Sequence, residues 1–490
     1  MLNKTRKFTL LHSNDMHGDF LSEVRGGEGH LIGGLALLSG YLNKVREEEE
    51  NVIFVIAGDM VQGSLIDAEY KGVSTIEIMN FLSPDVVTLG NHELDYGLPH
   101  LLFLEKMANF PIVNANLYIK QYGKRLMEPY FIMTMAGYKI LFIGVITEKV
   151  MDSLTQDQLI GTFVSTEDAA EEIGKICNAY KHNDIDLTIA LTHIGFESDI
   201  ELAKMLKPEW GVDMIIGGHS HTILDQPAQV NNILIAQAGV GTDQIGRYDI
   251  VVDDETNSIV DWKWQLVPIN NELAKPDAYL EEFINDYKTK VDEKYNAIIT
   301  RFSEKLLHPE REEETTLGNI FADALADISE SDIILLGSGS IRVKELGPVV
   351  TLGSLKACFP YDDSLTRYSV SGEQVKRIFS HIMRIDNRNG EGECFQINSR
   401  VKAVYSEPRS RLVSITVDDL PVKDEQKYTI TLQGYHFINS EANLGLSNEE
   451  IIGMGIPKVV STSAYGVLEE WLRNHPNATR EIEGRLIYKK

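Results

Sequence analysis

A chain of 490 residues exceeds the size that one hydrophobic core usually supports, so we expect at least two domains. Hydrophobic residues make up 43% and charged residues 24%, which are ordinary values for a folded protein and exclude extended disorder. The net charge of -27 argues against nucleic-acid polymers and anionic membranes as partners, although bound cations can reverse the field inside one cleft.

The N-terminal half repeats one pattern, in which an apolar run is followed by a polar, glycine-containing loop and often by an amphipathic stretch. Helical spacing is found at 34–49 and 166–182, between such runs. Apolar strands that alternate with helices indicate an α/β layered domain. From 233 to 268 strand follows strand, which predicts an antiparallel end to the sheet. The predicted strands before this region are 8–12, 52–57, 85–89, 112–116, 139–147, 187–192 and 214–217.

A charged segment with helical spacing, 274–300, separates this half from the rest, and we interpret it as a helix that leads from one domain to the next. The remainder mixes a helix-like segment at 317–329, a strand-like one at 332–337 and a strand-rich stretch at 401–433. We therefore predict an N-terminal catalytic domain at 1–272, a linker helix at 273–300 and a smaller α+β domain at 301–490.

Three widely spaced cysteines, Cys177, Cys358 and Cys394, form neither a disulfide framework nor a C-x-x-C metal site. We expect buried, reduced thiols. The N-terminal residues contain no long apolar region followed by a cleavage site, and no apolar run reaches the length of a membrane span. A cytoplasmic location is the simplest interpretation.

Metal-competent side chains follow the apolar runs of the N-terminal half. Because such loops gather at one edge of an α/β sheet, we expect these side chains to converge. Carboxylate, amide and imidazole groups without thiolates favour Mn, Zn, Fe or Co, and two metals that share a carboxylate need about seven or eight ligands. The residues are Asp15, His17, Asp59, Asn91, His92, His193, His219 and His221.

Each of these signals is weak by itself. Asp and Gly are common in turns, G-N-H-E could be a turn, and His193 alone would more often be a hydrogen-bonded core histidine. Five loops in order, each at a predicted strand end, favour the metal site over coincidence.

The motifs resemble those of calcineurin-like metallophosphoesterases of the 5′-nucleotidase family. The resemblance is strong over roughly 8–270 and continues through the C-terminal domain. It implies a four-layer α/β/β/α sandwich followed by a smaller α+β nucleotide-binding domain. The matching blocks are N-D-M-H-G, G-D-M-V-Q-G-S, G-N-H-E-L-D-Y-G, N-A-N, T-H-I-G, G-G-H-S-H and Q-A-G-V-G-T-D-Q-I-G-R, then T-T-L-G-N-I-F-A-D-A-L, G-S-G-S-I-R and F-P-Y-D-D.

The resemblance implies two divalent cations, whether Mn, Zn, Fe, Co or Mg. It places one on Asp15, His17, Asp59 and His221, and the other on Asp59, Asn91, His193 and His219, with Asp59 as the bridge. His92 is then a catalytic group near the phosphate, oriented by Asp95. From the residues alone, Asp95 could instead be a helix-start residue.

In the C-terminal domain the resemblance assigns substrate binding to Arg342 and Gly339, and base stacking to Phe359, with Asn91 also close to the substrate. The alternative for Phe359 is a core residue before a proline turn. The chain departs from the family pattern at Leu336 or Gly337, at Arg400, and at 443–446, where a second stacking aromatic is expected. Tyr435 and Phe437 lie just upstream of that last segment.

We therefore predict a dimetal hydrolase that releases phosphate from nucleotides by attack of a metal-activated water. Alternative substrates are 2′,3′-cyclic nucleotides and nucleotide-sugar or dinucleotide pyrophosphates. An inactive metabolite-binding protein is the alternative class, although a binding protein gains nothing from two metals and a catalytic imidazole. The expected partner is a small nucleotide or phosphate ester, and the oligomeric state stays open.

Overall fold

A computed structural model describes residues 5–25, 29–119, 122–147, 162–163, 166–388 and 393–490. The chain forms two compact units, Met1–Val291 and Asp292–Lys490. The point of division lies inside a helix, Ala278–Tyr295. The functional limits 1–272, 273–300 and 301–490 stay a prediction. None of the helices in the described ranges is long and apolar enough to cross a lipid bilayer.

The first unit contains seventeen strands among its described residues. They are β1 (Thr5–Ser13), β2 (Glu23–Val24), β3 (Leu31–Ile32), β4 (Val52–Ala57), β5 (Val86–Thr88), β6 (Ile112–Val113), β7 (Leu117–Ile119), β8 (Lys124–Arg125), β9 (Tyr130–Met135), β10 (Tyr138–Ile146), β11 (Thr162–Phe163), β12 (Leu187–His193), β13 (Met214–Ile216), β14 (Ala228–Val230), β15 (Ile233–Ala236), β16 (Gln244–Asp253) and β17 (Ser258–Pro268). The helices are α1 (Leu35–Glu48), α2 (Leu65–Tyr70), α3 (Val73–Leu82), α4 (Leu98–Met107), α5 (Thr166–Tyr180), α6 (Phe196–Met205) and α7 (Ala278–Tyr295).

Two six-stranded sheets form the centre of this unit. Their strand orders are β17-β16-β1-β4-β5-β6 and β14-β15-β13-β12-β10-β9. The strands β1, β4, β5 and β6 run parallel to one another, as do β10, β12, β13 and β15. The pairing of β16 with β17 is antiparallel, as predicted for the end of this region, whereas β15 pairs parallel with β13.

Apolar side chains from both sheets meet in one core. Leu10 and Val55 from the first sheet share a buried cluster with Phe142 and Ile189 from the second. The other face of the second sheet packs with α5 and α6 in a separate cluster. Leu11, Phe54 and Ile56 of the first sheet are also fully buried but do not belong to that core, and α1 and α3 carry buried apolar residues of their own. The predicted four-layer α/β/β/α arrangement is confirmed.

The second unit is a smaller α+β domain, as predicted. Its strands are β18 (Ile298–Arg301), β19 (Leu306–Leu307), β20 (Ile333–Gly337), β21 (Glu345–Leu346), β22 (Val349–Thr351), β23 (Leu365–Ser371), β24 (Phe395–Gln396), β25 (Val401–Ser406), β26 (Arg411–Val417), β27 (Leu420–Pro421), β28 (Lys427–Gln433), β29 (Lys458–Ser461) and β30 (Leu486–Lys489). Its helices are α8 (Thr316–Ser329), α9 (Leu352–Cys358), α10 (Gly372–Ile382), α11 (Gly434–Ile438), α12 (Ser440–Leu444), α13 (Asn448–Ile452) and α14 (Ala464–Asn474).

A five-stranded sheet and a four-stranded sheet organise this second unit, in the orders β24-β20-β28-β23-β29 and β27-β26-β25-β30. The apolar face of α10 joins residues of both sheets in one buried cluster. Its start is defined by a capping box, in which Ser371 and Gln374 satisfy each other's backbone N–H groups. The loops that follow β20 and β28 extend from strands whose residues belong to this buried cluster.

Candidate metal centre and substrate pocket

The predicted ligands lie where parallel strands end. Asp15 and His17 follow β1, Asp59 follows β4, and Asn91 follows β5. In the second sheet, His193 is the last residue of β12, and the loop that carries His219 and His221 follows β13. Because the carboxyl ends of parallel strands share one edge of a sheet, five segments distant in sequence contribute to one site.

The first group of side chains consists of Asp15, His17 and His221, each with one ligand atom within 4.8 Å of the others. His17 Nε2 and His221 Nε2 are 3.2 Å apart, and His221 Nε2 lies 3.4 Å from Asp15 Oδ1. Three electron-pair donors that point at one another in this way would repel unless a proton or a cation lay among them. The arrangement therefore fits a cation.

The second group consists of Asp59, His193 and His219. His193 Nε2 lies 3.1 Å from Asp59 Oδ2, and Asn91 Oδ1 lies 3.2 Å from His193 Nε2 and 2.8 Å from His219 Nδ1. Asp59 Oδ2 is also 3.9 Å from His17 Nε2, which belongs to the first group. Asp59 is therefore placed between the two groups, as a bridging ligand requires.

Hydrogen bonds outside the centre set the tautomers of two histidines for metal binding. The Nδ1–H of His193 can donate to Ala57 O at 2.8 Å, and that of His17 to Gln62 O at 3.1 Å. In each ring the Nε2 lone pair is then left facing the centre. Such support by a backbone carbonyl is typical of metal-bound histidines. The donor set and its tautomers fit two divalent cations.

Strained backbone conformations support the same conclusion. Five of the predicted ligands are non-glycine residues with positive φ, a conformation that costs on the order of 1–3 kcal/mol for each residue and clusters at functional sites. Glycine allows the loops to approach: a Cβ atom at Gly90 would lie 2.2 Å from Asp59 Oδ1. The five strained residues are Asp15, His17, Asp59, His219 and His221.

His92 lies beside the first group and has a separate partner. Its Nδ1 is 2.7 Å from Asp95 Oδ2, and its ring centroid is 5.3 Å from that of His17. The hydrogen bond with Asp95 raises the pKa of His92 above its usual value. His92 also has a ligand atom within 4.8 Å of those of His17 and Asp59, so distance alone does not separate a ligand from a catalytic group. The role of His92 stays a prediction.

Glu93 is a supporting residue to which the sequence analysis assigned no role. Its buried carboxylate accepts backbone N–H groups from Gly90 at 2.6 Å, Asp59 at 3.0 Å and Met60 at 2.7 Å. These bonds join the loop that holds Asp59 to the loop that holds Asn91. Burial raises the pKa of Glu93. The sequence offered one indication of this role, because Glu93 directly follows Asn91 and His92 in the G-N-H-E motif.

Two further polar residues, Asn14 and Gln237, support the loops of the candidate metal centre through hydrogen bonds. Asn14 donates to Asp15 Oδ2 and to Gly239 O, both at 2.7 Å. Gln237 donates to the buried Asp199 at 2.9 Å, and its carboxamide oxygen accepts a hydrogen bond from Ser220, which lies between His219 and His221. Asp199 shows no recognisable pattern in the sequence. Gln237 begins the matching block Q-A-G-V-G-T-D-Q-I-G-R, although no role was predicted for it.

The second unit contains a cavity of about 390 Å³ at the ends of β20 and β28. Gly339 and Arg342, both predicted to bind substrate, line it. Arg342 Nη1 donates to Gly339 O at 3.3 Å, and its guanidinium carbon lies 5.8 Å from the centroid of the Tyr361 ring. The remaining lining residues are Arg311, Ser340, Tyr361, Asp363, Glu393, Gln433, Tyr435 and His436.

The structure corrects the assignment of Phe359. Its side chain is 0% exposed and packs edge-on against Phe321, so it has no free face for a base. Tyr361, two residues further on, is 56% exposed and lines the cavity. Phe359 is the C-cap residue that follows α9, its side chain is buried, and Pro360 separates it from Tyr361. The core alternative noted from the sequence therefore applies to Phe359.

The family departures in this unit also have structural explanations. Leu336 lies in the buried strand β20, and Leu444 and Leu446 belong to the hydrophobic core. The segment that lacks the expected aromatic is therefore occupied by core contacts. Tyr435, which is 58% exposed, lines the cavity instead, whereas Phe437 stacks on Tyr368. Arg400 pairs with Asp418 and Asp332 at the surface and does not line the cavity.

Comparison with known proteins identifies the two units. Residues 8–222 match the family model for calcineurin-like phosphoesterases, and residues 294–442 match the model for the 5′-nucleotidase C-terminal domain. A 5′-nucleotidase from Vibrio vulnificus strain CMCP6 is 30% identical over 542 aligned positions, which span 99% of this chain and 94% of that protein. The first unit is thus a metallophosphoesterase domain.

Solved structures show the same two-domain fold. A 5′-nucleotidase precursor from Thermus thermophilus aligns with a TM-score of 0.61, 23% identity and coverage of 99% of both chains. A putative 5′-nucleotidase from Staphylococcus aureus in complex with alpha-ketoglutarate aligns with a TM-score of 0.63, 19% identity and the same coverage. The chain belongs to the 5′-nucleotidase family and is a metal-dependent phosphoester hydrolase.

Proposed function

We propose that this protein releases inorganic phosphate from nucleoside monophosphates at the metal centre of the first unit, and that the cavity of the second unit is a nucleoside-binding site. The observation that carries this proposal is the position of Asp59 between two groups of ligands, 3.1 Å from His193 Nε2 and 3.9 Å from His17 Nε2. Two cations that share a carboxylate are suited to an in-line displacement at phosphorus.

One cation would be held by Asp15, His17, Asp59 and His221, and the other by Asp59, Asn91, His193 and His219. When bound, such cations lower the pKa of a water molecule and neutralise charge on phosphoryl oxygens. Imidazole, carboxylate and amide donors suit Mn, Zn, Fe or Co, and also accept Mg. The protein contributes fixed donors: Asp15 is held by Asn14 Nδ2 at 2.7 Å and by the backbone N–H of His219 at 2.9 Å.

His92 is the residue that we assign to acid catalysis or charge stabilisation. The hydrogen bond from Nδ1 to Asp95 leaves Nε2 as the end of the ring that can approach a substrate oxygen. A positioned imidazolium can stabilise developing charge or protonate the leaving oxygen. Asp95 orients the ring and favours its protonated form, as the raised pKa of His92 indicates.

The cavity of the second unit offers the nucleoside an aromatic and a cationic surface. We assign base stacking to Tyr361 and Tyr435, whose side chains are 56% and 58% exposed. Arg342 lies over the Tyr361 ring and close to Gly339, where it can reach polar groups of the nucleoside. Stacking on such side chains contributes roughly 1–3 kcal/mol for each base.

We place the reaction in nucleotide catabolism within a reducing compartment such as the cytoplasm. The three cysteines support this assignment, because Cys177, Cys358 and Cys394 are all buried and none is in a disulfide. The fractionation of activity between cytosolic and exported proteins tests this part of the proposal.

The decisive experiment measures phosphate release from a panel of nucleotides, with Mn, Mg, Co or Zn added in turn to metal-depleted protein. The panel includes nucleoside 5′-monophosphates, 2′,3′-cyclic nucleotides, a nucleotide sugar and p-nitrophenyl phosphate. We expect 5′-monophosphates to have the highest kcat/KM. A preference for a cyclic nucleotide or a pyrophosphate would replace the proposed substrate class, and inactivity with every metal would contradict a hydrolase.

A further inference from the structure

One buried carboxylate of the first unit, that of Asp67, contacts three separate segments of the chain. Asp67 lies in the first turn of α2 and is 0% exposed. Its Oδ2 atom accepts the backbone N–H of Gln62 at 2.7 Å and the hydroxyl of Tyr96 at a longer 3.4 Å. Its Oδ1 atom accepts the hydroxyl of Thr75, near the start of α3. Because a buried carboxylate is costly unless donors surround it, these bonds fix the position of the side chain.

The contact with Gln62 leads to a predicted metal ligand. Gln62 has a positive φ of 70°, and its carbonyl oxygen accepts the Nδ1–H of His17 at 3.1 Å. The loops approach closely, since a Cβ atom at Gly63 would lie 2.4 Å from His17 O. A Cβ atom at Gly18 would lie 3.1 Å from Asp67 Cβ. The bond from Asp67 to the N–H of Gln62 therefore also orients the carbonyl that holds the His17 ring.

The contact with Tyr96 leads to the predicted catalytic turn. Tyr96 directly follows Asp95, whose Oδ2 atom lies 2.7 Å from His92 Nδ1. The backbone N–H of Asp95 donates to His92 O at 3.1 Å, so these residues belong to one turn. Burial and the neighbouring Asp67 raise the pKa of Tyr96, so its hydroxyl keeps its proton and donates. The bond to Asp67 thus fixes the end of the turn that orients the His92 ring.

We propose that Asp67 is a positioning residue of this enzyme, which fixes a metal ligand and the catalytic imidazole relative to each other. Through Gln62 it sets the orientation of the His17 ring. Through Tyr96 it holds the turn that contains His92. The second part rests on the proposed function, since it uses the role assigned to His92, whereas the first part needs only metal binding. A displacement of about 1 Å in such groups can lower a rate on the order of 10²-fold.

Titration of metal-depleted protein with Mn tests the contact with Gln62 and requires no turnover. Asp67→Ala removes the acceptor for the N–H of Gln62, and we expect Mn affinity to fall about 10- to 100-fold, the range typical of residues that orient ligands. Asp67→Asn should stay within about threefold of the wild type, because its oxygen can accept from Gln62 while its nitrogen donates to the hydroxyl of Thr75. Asp254→Ala is the control, since it removes the same charge from an exposed turn between β16 and β17.

A double-mutant cycle tests the contact with Tyr96, and it stands even if Asp67→Ala does not fold. Tyr96→Phe removes only the hydroxyl, so we expect kcat at saturating Mn to fall about 3- to 10-fold with Mn affinity unchanged. If the hydroxyl acts through His92, the same substitution should leave the kcat of His92→Asn unaltered, whereas a merely structural role would lower kcat in both backgrounds. Tyr279→Phe, at a position that is 70% exposed, should change kcat in neither.

The cycle is measured with glycerol 2-phosphate and with a nucleoside 5′-monophosphate, because both release an alcohol oxygen that takes up a proton. Wild-type kcat in Tyr96→Phe, or an equal loss in the His92→Asn background, would overturn the role at the catalytic turn. Unchanged Mn affinity in Asp67→Ala, or an equal loss in Asp67→Asn, would overturn the role at His17, since the amide lacks only the charge. Turnover of glycerol 2-phosphate without turnover of any nucleotide would overturn the proposed function and leave this inference standing.

Discussion

The metal centre of the first unit and the cavity of the second differ in how their side chains are held. Asp15, Asp59 and His193 are at most 2% exposed, and backbone groups or buried amides orient each of their side chains. Tyr361 and Tyr435 are more than half exposed and lie on loops or at a helix start. A metal centre tolerates little displacement of its donors, whereas a stacking surface needs only an aromatic face at about the right place.

This difference explains why the two sites depart to different extents from the family pattern. In the first unit each functional residue has a fixed place relative to a strand end, so a short motif identifies it. In the second unit an aromatic can move to a neighbouring position and still reach the cavity. Tyr361 and Tyr435 line the cavity, although neither stands at the position expected from the motifs.

The largest effect is expected from removal of the carboxylate that we propose as the bridge between two metal ions. Asp59→Ala should abolish phosphate release and lower the metal content, because two cations a few Å apart lose the negative charge that they share. Metal analysis together with p-nitrophenyl phosphate turnover measures both properties. Full activity in this variant would show that Asp59 is not the bridge.

His92→Asn should lower kcat by roughly 10²–10⁴-fold with both metals retained, because a positioned acid is lost and no ligand is. Metal stoichiometry by elemental analysis, measured beside kcat, separates the two roles that the distances permit. If metal is lost in parallel with rate, His92 belongs to the ligand set and the assignment is wrong.

Glu93→Gln tests whether the rigid support of the metal centre matters for its affinity. The amide nitrogen of glutamine would face backbone N–H groups that the carboxylate now accepts, so the loops of Asp59 and Asn91 should separate. We expect metal affinity to fall about 10- to 100-fold, the range typical of residues that orient ligands. Titration with Mn measures this change, and Glu47→Gln, on the exposed face of α1, should leave it unchanged.

Tyr361→Ala tests the cavity of the second unit, which Tyr361 lines. KM for nucleotides should rise by about 5- to 150-fold, which corresponds to a stacking contribution of roughly 1–3 kcal/mol. Phe359→Leu should instead lower the midpoint of chemical unfolding, since Phe359 is a core residue. A rise in nucleotide KM confined to Phe359→Leu would restore the original assignment.

The smallest effect concerns stability, and it tests a buried histidine of β1. His12 is fully buried against Trp264, with no hydrogen-bond partner for either ring nitrogen among the described residues, and burial lowers its pKa to about 3. In the unfolded chain the His12 side chain takes up a proton near pH 6.5, whereas in the folded protein it does not. The contribution of neutral His12 to the free energy of unfolding is therefore fully present above pH 6.5 and declines as the pH falls. From pH 7 to pH 5 the expected loss from this residue is about 2 kcal/mol.

His12→Leu should flatten this pH dependence of the unfolding free energy by the same amount, whereas His182→Leu, at an exposed position, should not. Urea unfolding at several pH values provides the measurement. An unchanged slope in His12→Leu would show that His12 has the same pKa in the folded and the unfolded chain, which would contradict the lowered pKa.

The elements predicted from apolar periodicity agree closely with the structure. The run at 52–57 coincides with β4, 187–192 lies within β12, and the helical pattern at 34–49 contains α1. Buried parallel strands and amphipathic helices have regular local patterns, and this regularity made them predictable. The short helices around 434–452 have no such period, because tertiary contacts rather than an apolar stripe position them.

By itself the sequence determined the α/β class of the first unit, the residue types of the metal centre and their places after strand ends, because these depend on local order along the chain. Only the tertiary structure decided which atoms meet. It showed Asp59 between the two ligand groups, Glu93 as the link between the loops of Asp59 and Asn91, and Phe359 in the core. The physical reason is that side-chain burial and hydrogen-bond partners depend on segments far apart in sequence, such as Phe321 for Phe359, and no local pattern records them.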